Sequence, residues 1–228
     1  MRNTVFTFRG LDAKTELRLA LLLIIPSLII MLGTLYAINL IFPNGYFLSG
    51  LVFSATLTVA ISTLILKQLV KKIRNNKWDI KIENEQLDIK FKDITYNLHF
   101  EDIKMIKNIG NAGLRYLTIK TKQEVIKIRV GNAAFAPFST QEDIDELDAF
   151  VEFIKPYIDM HFNKKILKNI ARPNIIPNFG VYVVKGEKIK YSLINKMTPV
   201  QVALFILGIG VLVMILFMNG LIYFIDNK

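Results

Sequence analysis

The chain has 228 residues, 52% of them hydrophobic, and a formal charge of +10. That is too greasy for an ordinary soluble domain, and the positive charge falls almost entirely outside the apolar runs, so the composition describes a membrane protein with basic water-facing parts. There is no cysteine, which excludes a disulfide framework, a cysteine-ligated zinc and a thiol nucleophile.

Residues 1–18 carry Arg2, Arg9, Lys14 and Arg18 and read as a cytoplasmic N-terminal tail. From Leu19 to Leu66 there is no Asp, Glu, Lys, Arg or His, a run about twice the ~20 residues that one helix needs to cross the hydrocarbon core. "FPNGY" (42–46) supplies a turn, so residues 19–66 are predicted to be a transmembrane hairpin with helices over 19–41 and 47–66. The run is too long for a signal peptide and no small-residue cleavage site follows, so it is expected to be a retained anchor. Lys67, Lys71, Lys72, Arg74 and Lys77 follow the second helix while the loop is uncharged. The positive-inside rule then puts the loop outside and both flanks in the cytoplasm. Gly50, Ser54, Thr58 and Ser62 recur every four residues, and Gly33 and Ala37 make a similar pair. Such small faces allow close helix approach, either within the chain's own bundle or as a homo-oligomer seam or pore lining. The spans carry no charge, which argues against a transporter or pump, although a pore lined by hydroxyls and Asn39 or Asn219 stays open.

Residues 67–162 read as a cytoplasmic domain of strands followed by one helix. "DIKIENEQLDIKFKDITYNLHFEDI" (79–103) alternates apolar and polar, the pattern of half-buried strands. Strands are predicted at 78–83, 86–92 and 94–100, then a short one ending at "GNAG" (110–113), then a hairpin of 114–120 and 124–130. A helix is expected from Ser139, where Ser139-x-x-Glu142 has the form of a capping box. Ile144, Leu147, Val151, Ile154 and Ile158 make one apolar stripe that must lie on the sheet, and Pro156 is expected to kink or loosen the last turns.

"ITYNLHFEDIKMIKN" and "IRVGNAAFAPFSTQEDIDELDAFVEFI", preceded by a transmembrane hairpin, resemble the bacterial pleckstrin-homology-like domains of small membrane proteins, in particular the YcxB-like type, over about residues 19–160. The resemblance implies a curled antiparallel sheet capped by one C-terminal helix. Two features depart from it. The chain continues to a further apolar run, and "ENEQ" stands where lipid-binding relatives carry a basic clamp, so the phosphoinositide role does not transfer.

Residues 163–196 form a basic linker. Lys164, Lys165, Lys168 and Arg172 beside Ile166, Leu167 and Ile170 have a basic amphipathic pattern that suits an anionic membrane surface, as do Lys67, Lys71, Lys72 and Arg74. The bland alternative is a tether that only obeys the positive-inside rule. A hairpin is expected over 181–193 around Lys185-Gly186, and Pro173 and Pro177 end any helix before it. Met197 to Ile225 is a third uncharged run, with Thr198 as N-cap and Pro199 at the first helical position, leaving 226–228 as an external tail. The charges place the N-terminus inside and the C-terminus outside the cytoplasmic (inner) membrane.

The chemical inventory is sparse. His99 and His161 are far apart in sequence, no spacing matches a zinc or EF-hand site, and no nucleophile stands with a base, so neither a cofactor nor a catalytic set is expected. Nucleic acid is a poor partner for lysines that cluster beside the spans. The expected partners are anionic lipids of the inner leaflet and a protein or peptide. The expected function is a non-catalytic binding or scaffolding domain at the membrane. The alternatives are an immunity protein against a membrane-acting toxin or bacteriocin, and a ligand-sensing effector that oligomerises through its helices.

Overall fold

The computed structural model describes residues 4–42, 47–83, 85–131, 139–165, 176–187 and 197–226. The chain begins in a strand, β1 (Thr4–Arg9), whose Phe6 and Phe8 turn inward. The segment expected to be a tail is therefore part of a sheet. Its arginines hid a short alternation of threonine and phenylalanine that suits a pleated, half-buried surface. A two-residue strand, β2 (Leu11–Asp12), leads straight into α1 (Ala13–Ile41), and the Asp12 carboxylate caps that helix by accepting from the Thr15 N–H at 3.2 Å. The antiparallel partner is α2 (Phe47–Ile73), which continues past Leu66 so that Lys67, Lys71 and Lys72 are helical. Both helices are long and apolar enough to cross a membrane.

β3 (Lys77–Glu83), β4 (Gln86–Phe91) and β5 (Ile94–His99) form a meander joined to β1, in the order β1-β3-β4-β5, antiparallel throughout. The register sets Phe8, Trp78 and Phe91 in one inward row and Phe6, Ile80 and Ile89 in the next. Trp78 stacks on Phe91 with centroids 4.2 Å apart. The β4–β5 turn has two residues, with Lys92 at φ 55°. A short 3-10 turn (Phe100–Asp102) leads to the second meander, β6 (Met105–Asn111), β7 (Leu114–Lys120) and β8 (Val125–Gly131). Gly110 sits at φ 152°, where a Cβ would come within 2.0 Å of the Leu114 carbonyl oxygen, so only glycine fits.

α3 (Gln141–His161) closes the space between the two sheets. Its expected stripe of Ile144, Leu147, Val151, Ile154 and Ile158 is buried, with Phe150 added, and Phe6 meets Phe150 edge-on at 5.5 Å. The cap differs from the expected one. Thr140 is the N-cap and Asp143 completes the box, while the Ser139 hydroxyl donates to the Arg9 carbonyl at 2.9 Å and accepts from the Gly131 N–H at 3.2 Å. The helix runs on through Pro156 to His161.

The linker also differs from the amphipathic reading. Lys164 and Lys165 lie in an extended strand, β9 (Phe162–Lys165), which pairs with β10 (Gly180–Val184), and β10 pairs in turn with β6. Backbone partners on both sides of β10 outweigh the local helical pattern at these lysines. The second sheet thus runs β2-β8-β7-β6-β10-β9. β10 is the first arm of the hairpin expected at 181–193; residues 188–193 of its second arm lie outside the described residues, as do Lys168 and Arg172 earlier in the linker. α4 (Pro199–Asp226) starts from Thr198, whose N–H donates to Gln201 Oε1 at 2.8 Å while its hydroxyl accepts from the Gln201 N–H at 3.4 Å.

Candidate functional site

The helical hairpin and the sheets meet without a flexible linker. Leu11 and Ile73 are buried together with Leu19 and Val70 against them, and the Gly10 N–H donates to the Asn76 carbonyl at 3.3 Å. A Cβ on Gly10 would lie 2.8 Å from the Arg129 carbonyl oxygen, so the strand leading into α1 lies hard against β8. Arg129 pairs with Glu16 on the first turns of α1 and lies over the Tyr116 ring, 5.5 Å from its centroid. Lys92, in the β4–β5 turn, donates to Thr15 Oγ1 at 3.4 Å. At the far side β1 is fastened to α3: Asp143 accepts from the Arg9 N–H at 2.8 Å, and its carboxylate is 3.5 Å from the Arg9 guanidinium. Displacing α3 would therefore pull on the strand that feeds α1.

Within the hairpin the small-residue row divides. Ser54 is fully buried, 2.5 Å from Thr34 Oγ1 and donating to the Met31 carbonyl at 2.8 Å. Ser62 meets Ser27 at 2.6 Å, and a Cβ on Gly50 would stand 2.8 Å from Ile38 Cγ2. The Thr58 hydroxyl turns back to the Ser54 carbonyl of its own helix. Gly33 has nothing within 4 Å of its Cβ position and Ala37 is exposed, so neither joins this contact. The partners on α1 are Ser27, Met31, Thr34 and Ile38 instead. The hydroxyls of Ser27 and Thr34, at i and i+7 on α1, are the sequence signal for this face.

The same antiparallel pairing puts Arg18 about level with Lys71, and Lys14 about level with Arg74. Lys67, Lys71, Lys72 and Arg74 are exposed, as are Lys14 and Arg18. Among the described residues none of these cations forms an ion pair with a carboxylate. They make a basic collar where the hairpin joins the sheets. Lys164 is also exposed, 5.6 Å from the Tyr182 ring centroid, and sits on the far edge of the second sheet, apart from that collar.

Among the described residues a cleft of ≈ 250 Å³ lies along β1 and the first turns of α3, lined by Arg9, Lys77, Glu142, Asp143 and Glu146, and two more open on the sheets. The larger, ≈ 440 Å³, has a floor of Phe162, Ile176, Phe179 and Tyr182 and a rim carrying Lys155, Asp159 and Lys164. Burial, then Asp159 and Glu152, push the Tyr182 phenol up, which keeps it a neutral donor to the Asn178 carbonyl at 3.0 Å. The smaller, ≈ 170 Å³, lies between β5 and the β7–β8 turn (Thr121–Glu124). Burial, then Glu124 and Asp12, raise the Tyr96 phenol there. On the second sheet burial, then Lys127, lower Lys107, which shares a cross-strand row with Thr118 and Lys127. His99 Nε2 is 3.4 Å from Gln86 Nε2, and His161 lies against the Tyr157 ring. Among the described residues no three His, Asp or Glu side chains gather as a metal site.

The ion pair between buried Arg115 and half-buried Asp148 has no counterpart in the sequence pattern. Arg115 Nε and Nη2 each donate to the carboxylate at 2.9 Å, tying β7 to α3. No family model, curated protein or solved structure matches this chain.

Proposed function

We propose that this chain is an integral membrane protein that holds a binding domain against the cytoplasmic face of the inner membrane. In this reading the uncharged 42–46 loop is outside, the basic collar lies at the anionic headgroups, and α4 is a third span that carries the C-terminus out. The sheets and α3 then form a PH-like module of the YcxB-like kind, supported by two antiparallel meanders closed by one C-terminal helix. Its work is docking a protein or peptide partner, without catalysis.

The carrying observation is the junction: the chain passes from β2 to α1 with no intervening residue, and from Ile73 to β3 across Arg74, Asn75 and Asn76. A domain so fastened stays within reach of the membrane surface and keeps a fixed orientation to it. The test fuses a reporter active only outside the membrane to Lys228 and, separately, inserts it at Gln123. Activity at Lys228 and silence at Gln123 are expected; activity at Gln123 would overturn the topology. Full-length protein, in turn, should show salt-sensitive partitioning toward anionic over neutral lipid, weakened by neutralising Lys67, Lys71, Lys72 and Arg74 together.

A further inference from the structure

The outward face of the second sheet carries a row of positive charge. Ile106 and Asn108 on β6, Leu117 and Ile119 on β7, and Ile126 and Ile128 on β8 are buried on the inward side. The residues between them, Lys107, Thr118 and Lys127, therefore turn to the opposite face. Lys107 lies opposite Thr118, and Thr118 opposite Lys127. On the other side of Lys107 the same row continues through Val181 on β10 to Lys165 on β9. Adjacent strands are about 4.8 Å apart, so Lys107 and Lys127 are rooted about 10 Å from each other with Thr118 between them.

Like charges gathered on one sheet face repel. Burial, then Lys127, lower the proton affinity of Lys107, so the second ammonium group is held there at a cost. Among the described residues Lys107, Lys127 and Lys165 form no ion pair with a carboxylate, and Arg129, the next outward residue on β8, is engaged by Glu16. Segments 132–138, 166–175 and 188–196, outside the described residues, contain no Asp or Glu, so none of them brings a carboxylate to the row. Lys127 is exposed, which leaves the β8 end of the row open to solvent.

We propose that Lys107, Thr118 and Lys127 form a binding site for a phosphate-type dianion, either phosphate free in solution or the phosphomonoester headgroup of a lipid. The four-carbon stems of the lysines let both ammonium groups lean over Thr118 from opposite sides, and the threonine hydroxyl adds a donor at the centre. A phosphomonoester carries about −1.5 to −2 charges at neutral pH and so balances two ammonium groups, where a single carboxylate balances one. Lys165, beyond Val181, extends the positive field along the row. Because the anion offsets the repulsion between the lysines, its binding and the protonation of Lys107 support each other.

The test uses the full-length protein in micelles of a nonionic detergent, with carbon-13 dimethyl groups on its lysines, a modification that keeps their charge. NMR at constant pH and ionic strength follows the Lys107 and Lys127 signals, assigned by their loss in Lys107→Met and Lys127→Met, as inorganic phosphate replaces chloride. A saturable shift of both signals is expected, with Lys107 titrating at higher pH in phosphate than in chloride. Lys127→Met should weaken phosphate binding at least about tenfold and Thr118→Val severalfold. Lys90→Met, a change at an exposed position of the first sheet, should match the parent. A second arm places the protein in bilayer discs of phosphatidylcholine with or without phosphatidate. Phosphatidate that moves both signals with no phosphate added assigns the site to a headgroup; silence there, with the phosphate response retained, assigns it to the free anion. Absence of a saturable shift in both arms, or equal affinity in Lys127→Met and Lys90→Met, would overturn the proposal. Signals that follow protein concentration in place of phosphate would also overturn it, by giving the row to carboxylates of a second copy.

Discussion

Replacing Ser54 tests how the hairpin holds together. The side chain is fully buried, 2.5 Å from Thr34 Oγ1 and 2.8 Å from the Met31 carbonyl oxygen. Two hydroxyl protons are available there for three acceptors, since Thr34 Oγ1 also lies 2.7 Å from the Ile30 carbonyl oxygen. Ser54→Ala removes one donor, worth about 0.6 kcal/mol on average between membrane helices, with about 1.7 as the upper end. Ser54→Leu loses the same bond and forces a larger side chain against α1, which adds about 1–3 kcal/mol of overpacking. A total of about 2–4 kcal/mol is a loss of ~30-fold or more in the closed hairpin. Because the chain has no cysteine, labels go in cleanly at Tyr36→Cys and Val52→Cys, both exposed, and the distance between them reads hairpin closure across a denaturing detergent series. Gly33→Leu is the control, with nothing within 4 Å of its Cβ position. Closure should weaken in the order Ser54→Leu, Ser54→Ala, then Gly33→Leu near wild type. Equal loss from Gly33→Leu and Ser54→Leu would refute the assigned interface and reopen the face containing Gly33 and Ala37.

Arg115→Met should destabilise the sheets by about 3 kcal/mol, because it strands the Asp148 carboxylate, and Asp148→Leu on top should recover much of that; chemical denaturation of both variants checks it. Lys107 has its proton affinity lowered by burial and then by Lys127, so the unfolded chain holds that proton more tightly. Stability therefore rises with pH as it approaches the ordinary lysine range from below, and Lys107→Met should flatten that rise and raise stability at neutral pH. Gly110→Ala should cost about 2 kcal/mol or more, measured as a lowered Tm, since its Cβ would meet the Leu114 carbonyl oxygen at φ 152°.

Local pattern carried much of the design. The two apolar helices were legible because a bilayer-length run without charge has few other readings, and the meanders over 78–130 because alternation with period two survives in the sequence of a half-buried sheet. The stripe on α3 was legible for the same reason at helical period. Thr198 and Pro199 likewise announced the start of α4 by residue type alone.

Other features are decided between distant segments. Phe6 and Phe8 become core only because β3, some seventy positions on, offers β1 an edge, and Lys164 becomes extended only because β10 lies beside it. The helix cap passes from Ser139 to Thr140 because the Ser139 hydroxyl is taken by the backbone of Arg9 and Gly131. Four small residues on α2 announced a packing face, but which side of α1 meets it depends on the rotation of one helix about its axis, and that is set by Thr34, Ser27 and Ile38 together. The place of β5 belongs here too. Its sequence shows a strand without charge, but only the order of strands determines that it ends its sheet among the described residues and that Thr95, Asn97 and His99 direct their backbone groups away from β4. Periodicity is a property of neighbouring residues, whereas edges, registers and shared hydrogen bonds belong to pairs of segments, and those exist only once the chain has folded.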